Sequence, residues 1–426
     1  MGIRLKVNKE TIEAAVLGGA VLGGGGGGWI EEGRELAGVA VERGFREILP
    51  IEDVPEDALL LTVSAVGAPS AGSAALKPDD YVRAVELFLE KTGIKVGGLI
   101  SSEIGAVGIV NGWVQSVFLN IPVIDAPCNG RAHPLALMGS LGLHRDKEYV
   151  SFQAAVGGDK AKGNRVELFF KGSVQEVSRL VREASIKAGG MVAVARNPVP
   201  ARYVKKNGAP GAIRTALRLG KIMLEGRRML DSEKMPKSKK TSDSKLMPES
   251  RKMQESKKMQ ESKKHGSLEI IKEIVNHLGG NFQIKASVEK LSLRREGGLD
   301  IGKLLLREQK KDYELTFWNE YMTLEADGRR IATFPDLIMT FDSEAASPLI
   351  SAEIKENCEV FVIAVPSYKL ILGAGMRDQG LLKNVEMAIS KEILRFRKRE
   401  MKLCDPSLFR ACQKKATEKE ILEKRG

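Results

Sequence analysis

Three short apolar runs, each stopped by turn-forming or polar residues, constrain this chain more than any other feature. Ala58–Ala65 reads ALLLTVSA and ends at Gly67-Ala68-Pro69; Val96–Ile100 ends at Ser101-Ser102-Glu103; Ile121–Asp125 ends at Ala126-Pro127-Cys128. Each run has strand length, and amphipathic or mixed segments at 79–91 and 107–119 separate them. Apolar strands alternating with helices predict a mainly parallel sheet covered on both faces, hence an α/β domain. Further elements are expected in the same half. A helix covers 9–20, strands lie at 149–156, 166–170 and 191–196, and helices at 134–143, 174–188 and 211–230.

From Met235 the texture changes. The chain reads MPKSKK, TSDSKL, MPESRK, MQESKK and MQESKK, five hexads in register. Six residues do not complete a whole number of helical turns, so the methionines do not line one face. Such a polar, basic stretch cannot bury a core, and a solvated insert over 231–266 is expected. A helix at 268–278 follows. Short strands are then expected at 313–318, 322–325, 330–334, 337–341 and 360–365, with Asp327-Gly328 as a hairpin turn. The organisation is therefore a 1–230 α/β domain, the insert, a smaller β-rich domain at 267–385 resembling a small barrel or sandwich, and a basic helical tail at 386–426.

The net charge of +12 suggests nucleic acid until it is located. Residues 231–265 carry a net +5 and residues 391–426 a net +6, so the rest of the chain is near neutral. The basic character belongs to the insert and the tail, and nucleic acid is not the expected partner. A small-molecule substrate is, with homo-oligomerisation left open. The cysteines at 128, 358, 404 and 412 show no CxxC spacing, which argues against a disulfide framework or structural zinc and suits a reducing cytoplasm. The uncharged stretches 58–76 and 104–124 contain Gly, Pro, Asn and Gln and read as strand, turn and helix rather than as membrane spans. The opening MGIRLKVNKETIE places acids ahead of any apolar run, unlike a secretory leader.

In open α/β sheets, ligands bind beyond the carboxyl ends of the strands. Here those ends are Ser64–Pro69, Ser101–Glu103 and Asp125–Arg131, and they are expected to border one crevice. The segment IDAPCNGRAHP is the richest. Cys128 follows a strand and precedes an expected helix, with Arg131 and His133 close by; such a thiol would be acidified and nucleophilic, whereas a small buried Cys would only pack. Asp125, His133 and His144 are the candidates for a metal, but no HxxxH or HxH spacing supports one, and the sequence specifies no cofactor. The run Gly23–Gly28 follows a helix rather than a strand and has no Gly-Lys-Ser/Thr after it, which argues against a dinucleotide fold or P-loop. Its bare amides, those of Gly25 and Gly26 included, could cradle a ligand, and the loop is expected to be mobile.

At these segments the chain resembles the S-methyl-thiohydantoin desulfurase family. The resemblance is carried by LGGGGGGWIEEGRELA near residue 22, SAVGAPSAG at 64–72, SSEIGAVGIVNG at 101–112, IPVIDAPCNGRAHP at 121–134, GAIRTALRLGKIM at 211–223 and LTFWNEYMTLEADGRRIATFPDLIMTFDSE at 315–344. It implies an N-terminal α/β/α layered domain and a C-terminal barrel-like domain. It also implies hydrolysis of a five-membered cyclic amide or thioimidate, with methanethiol leaving. The attacking group stays open between Cys128 and water activated by Glu103 or Asp125. Asp125 and His133 would handle protons. Gly25, Gly26, Gly67, Ser102, Asn129 and Arg131 would hold the ring. The rival reading is a binding or assembly protein that uses the same crevice without chemistry.

Overall fold

The computed structural model describes residues 2–67, 76–233 and 266–397. The hexad insert from 234 to 265 and the tail beyond 397 lie outside these residues, as do Ala68 and Pro69. No helix among the described residues is long and apolar enough to cross a membrane.

The N-terminal half contains strands β1 (Leu5–Lys6), β2 (Glu47–Pro50), β3 (Leu59–Gly67), β4 (Gly98–Ser101), β5 (Ile124–Asp125), β6 (Ser151–Gly157), β7 (Val166–Gly172) and β8 (Met191–Pro200). Its helices are α1 (Lys9–Gly23), α2 (Ile30–Glu42), α3 (Pro78–Thr92), α4 (Trp113–Leu119), α5 (Val174–Lys187), α6 (Ala201–Asn207) and α7 (Ala212–Glu233). β3 and β4 pair in parallel, β2 and β5 pair in parallel, and a parallel bridge from Leu99 to Val123 connects the two sets. The three runs that dominate the sequence are thus parallel neighbours whose carboxyl ends share one edge. Beyond β3 the sheet departs from expectation: the order is β4-β3-β8-β6-β7, and β8, β6 and β7 all pair antiparallel. The sheet is mixed, not mainly parallel, because β6 to β7 is a short hairpin connection that only an antiparallel pair permits.

Alternation along β6 and β8 covers both faces. Ala154, Val156, Ala193 and Ala195 join the apolar cluster that includes Val82 and Val85 of α3, whereas Ala155, Val192 and Val194 join Val181 of α5. The caps are local. Asn8 accepts from the Thr11 amide at 2.9 Å to start α1, and Ser173 accepts from Glu176 to start α5. Helices α1 and α7 cross in close contact: a Cβ on Gly220 would sit 1.8 Å from the Ala14 carbonyl oxygen, so no larger residue fits. The expected helix at 134–143 is absent; only short 3-10 turns form there, at Ala136–Gly139 and Leu143–Arg145. Gly139 and the left-handed Leu141 and Gly142 interrupt it.

The C-terminal half opens with a helix α8 (266–278). It continues through β9 (Phe282–Glu296), β10 (Leu299–Glu308), β11 (Lys311–Trp318), β12 (Glu320–Ala326), β13 (Arg329–Thr333), β14 (Leu337–Asp342), β15 (Pro348–Leu349) and β16 (Glu359–Val365), then α9 (Gln379–Ile389). These strands form one antiparallel sheet of order β13-β12-β11-β10-β9-β16-β14-β15. It curls far enough for Tyr321 on β12 to hydrogen-bond Thr340 on β14 at 2.7 Å, but among the described residues no ladder closes it into a barrel. The two halves share a core: Val16, Leu219, Ile271, Leu315 and Phe341 belong to one apolar cluster.

Candidate active site

At the carboxyl ends of β3 and β4 lies a cavity of about 390 Å³. Its walls come from Ser64–Gly67, Ser101–Glu103, His133 and Pro134, Gly27 and Gly28, the start of α2, Arg182 on α5, Arg196 on β8, and Asn319 and Glu320 at the start of β12. The C-terminal half therefore supplies one wall of a site built on the N-terminal sheet.

Glu103 sits in a turn that Ser101 holds in shape, its hydroxyl donating to the carbonyls of Glu103 and Gly108. The His133 amide donates to Glu103 Oε2 at 3.2 Å, and His133 Nε2 lies 3.4 Å from the same oxygen. Burial pushes the Glu103 carboxyl up to about 7; the His133 amide and the charges of Arg196, Arg182 and Arg131 oppose that rise. Burial, and then the charge of Arg196, pushes His133 down to about 3, so its imidazole is neutral at physiological pH. Glu320 is 2% exposed. Burial and the charge of Glu103 hold its carboxyl well above the usual carboxylate range. Asn319, in the left-handed region at φ 55°, anchors this carboxylate's backbone: it exchanges hydrogen bonds with Asp300, and its carbonyl accepts from Ser351 Oγ.

Arg196 follows the apolar run Met191–Ala195 in β8. It is 2% exposed, and among the described residues its Nε and Nη1 have no hydrogen-bond partner, nor does the Ser64 hydroxyl. Buried donors normally find partners. Two such residues lining one cavity mark a place for a ligand's acceptors. Arg182 donates to the carbonyls of Gly67 and Pro134, two walls of the cavity, and to that of Gly298 in the C-terminal half.

The segment from Asp125 to Arg131 turns away from the cavity, and of the stretch IDAPCNGRAHP the residues that reach it are His133 and Pro134. Asp125 Oδ1 accepts from the Ile213 amide at 2.8 Å near the start of α7. Cys128 is fully buried beneath the site, its Sγ 3.4 Å from Thr62 Oγ1, and burial pushes the thiol up to about 11. Asn129 donates to the Met138 carbonyl and accepts from the Gly373 amide. Arg131, fully buried, donates to the carbonyls of Pro335 and Asp336 and lies over Phe334. Asn129 and Arg131 thereby tie the two halves together. His144 is likewise used elsewhere, bridging Ser140 and Asp378.

The glycine run is a seam rather than a mobile flap. The carbonyls of Gly24, Gly25 and Gly27 accept from the amides of Tyr321, Ser351 and Val107. Gly25 lies against Tyr321 and Gly26 against Glu320, where a Cβ would meet Oε1 at 2.1 Å. Gly27, at φ 81°, packs directly on the backbone of Gly105. Bare backbone is required because two loops and a buried carboxylate occupy the space side chains would fill. Among the residues named from the sequence, Glu103, His133, Gly67 and Ser102 line the cavity; Gly25, Gly26, Asp125, Cys128, Asn129 and Arg131 do not. Arg182, Arg196, Glu320 and Glu32 line it and were not anticipated.

The fold is similar to that of a crystal structure of a protein from Chromobacterium violaceum, with a TM-score of 0.61 over 91% of this chain and 97% of that one, at 18% identity. At that identity the likeness is one of fold. Residues 10–164 match the S-Me-THD-like N-terminal domain, and residues 250–374 match the S-Me-THD-like C-terminal domain. No curated protein matches the sequence.

Proposed function

The chain belongs to the S-Me-THD-like family, and from that premise and the chemistry of the cavity we propose that it hydrolyses a cyclic thioimidate of the S-methyl-thiohydantoin type. The observation that carries this reading is a pair of carboxyls, Glu103 and Glu320, that face one cavity and are each raised by burial above the usual carboxylate range. One such carboxyl can serve as base and the other as acid.

In the proposed reaction Glu103 accepts a proton from water, and the oxygen attacks the ring carbon that bears the methylthio group. The C=N electron pair moves to the ring nitrogen, which takes the proton that Glu103 accepted. Arg196 and Ser64 offer their unpartnered donors to the charge that builds on the ring. The carbon–sulfur bond then breaks, Glu320 protonates the departing thiolate, and the second proton of the added water passes to the Glu320 carboxylate as the new carbonyl forms. The balance is thioimidate plus water to hydantoin plus methanethiol. Neutral His133, beside Glu103, orients the base without neutralising it.

The test is to incubate the purified protein with S-methyl-thiohydantoins and to measure methanethiol by a thiol reagent and hydantoin by mass. Release of both in equal amounts is expected. Ligand binding with no release would instead support the binding-protein reading.

Water, rather than the Cys128 thiol, is the nucleophile in this scheme. A fully buried thiol pushed up to about 11 is almost wholly protonated at neutral pH. Cys128→Ala is expected to keep most of its turnover, and Cys128 in the folded protein is expected to resist iodoacetamide. Loss of turnover by orders of magnitude in Cys128→Ala, with an unchanged melting curve, would return the thiol to the mechanism.

A further inference from the structure

The ring reaction uses the inner part of the cavity. A bare five-membered ring leaves much of about 390 Å³ unfilled, since cavities of this size take larger ligands. The remaining wall is formed by the start of α2, where Trp29, Glu32 and Glu35 line the same space. On that helix Glu31 is paired, through Arg34, which also holds Glu13 of α1. Glu32 and Glu35 have neither an ion pair nor a hydrogen bond among the described residues. The charges acting on the lining carboxyls differ. Arg196, Arg182 and Arg131 act on Glu103, whereas the charge acting on Glu32 is that of Glu35. The buried Tyr81 hydroxyl, which has no hydrogen-bond partner among the described residues, lies close enough to feel the Glu32 charge. That the cavity awaits a ligand rests on an independent feature, the buried and unpartnered donors of Arg196 and Ser64.

We infer that the α2 wall is a subsite for an organic cation, so that the ring's preferred substituent ends in an ammonium or guanidinium group. Two uncompensated carboxylates beside an indole suit such a group, through charge-assisted hydrogen bonds and attraction to the aromatic face. Burial, and then the charge of Glu35, pushes the Glu32 carboxyl up to about 7, as happens to a carboxylate with no cation beside it. A ligand cation would relieve that cost. The substrate class becomes a thiohydantoin formed from a basic amino acid, and the assignment of the ring rests on the function proposed above.

Equilibrium binding separates the two ideas, because it needs no turnover. Calorimetry would compare 5-(4-aminobutyl)hydantoin with 5-butylhydantoin, which differ by the ammonium group. The aminobutyl compound is expected to bind about 10–100-fold more tightly, the worth of one hydrogen bond to a charged group. Glu32→Gln with Glu35→Gln should bring that ratio close to one, and Glu35→Gln alone, at an exposed position, should lower it in part. Equal binding by the native protein, or a ratio the double substitution leaves intact, overturns the subsite. If neither hydantoin binds, the ring assignment fails, and n-pentylammonium against n-pentanol decides the rest. A preference for the ammonium that the double substitution removes keeps the cation subsite; no preference overturns it.

Discussion

Replacing Glu103 by Gln is expected to lower turnover by about 10³-fold, within the usual range for removing a general base. The same substitution is expected to raise thermal stability at alkaline pH. Both outcomes follow from the carboxyl lying near 7 in the folded protein against an ordinary 4.5. A raised carboxyl is favoured in its protonated form by the fold. Its contribution to stability is therefore fully present below about 4.5 and is lost as pH rises through about 7. Above that, the buried charge costs about 3 kcal/mol at most, less what water reaching the partly open cavity recovers. Gln has the same shape and no charge. Melting temperatures of the native protein and the variant should diverge between pH 5 and pH 8, with the variant higher at pH 8. The pH profile of kcat/KM should rise through about 7 as the base ionises, in a titration that belongs to the Glu103–Glu320 pair rather than to either residue. A variant that retains turnover would remove Glu103 from the base role. A variant that melts lower at pH 8 would show a paired carboxylate rather than a strained one.

What was legible in the sequence was local. The three apolar runs and their polar ends marked the parallel strands and placed Ser64, Ser101, Ser102 and Glu103 at one edge, because strand ends follow from hydrophobicity and turn chemistry alone. Cys128, Asn129 and Arg131 misled for a physical reason. A dense polar segment after a strand can line a crevice or seal a domain seam, and only the three-dimensional path of the chain distinguishes the two. The glycine run posed the same difficulty: flexibility and close packing both select glycine, and here Gly27 meets the backbone of Gly105. The longest hairpin, β9 and β10, carries its own signal in the alternation of Ile284, Ala286 and Val288 and in Gly297-Gly298, a signal the basic residues around it obscure. Arg196 and Glu320 were within reach. Each is a charge set inside an apolar strand or against one, as in MVAVARNPV and FWNEYM, where burying the charge demands a reason. Antiparallel β8 was not within reach, since strand direction is decided by partners far away in the chain.

Glu320→Gln is expected to lower turnover of the S-methyl substrate by about 10²-fold, because the amide cannot deliver a proton to the departing thiolate. The size of that defect should depend on the leaving group. Methanethiolate is basic and needs the proton as the carbon–sulfur bond breaks, whereas an S-(4-nitrophenyl) thiohydantoin releases a stabilised thiolate that does not. The variant should therefore recover most of its deficit on the aryl substrate. Glu103→Gln should not, because its defect lies in forming the carbon–oxygen bond. The contrast distinguishes an acid from a residue that merely holds the wall of the cavity, since a distorted wall would slow both substrates alike. Equal losses on the two substrates would assign Glu320 to positioning. The folded state offers a second reading of the same residue. Glu320 is buried, its Oε2 has no hydrogen-bond partner among the described residues, and burial holds its carboxyl well above the usual range, so Gln at this position introduces no new charge. Gly26 lies directly against it, and Gly26→Ala would drive a methyl group into Oε1. If Glu320 is the acid, that displacement should reproduce the leaving-group dependence of Glu320→Gln while the carboxyl itself remains in the chain.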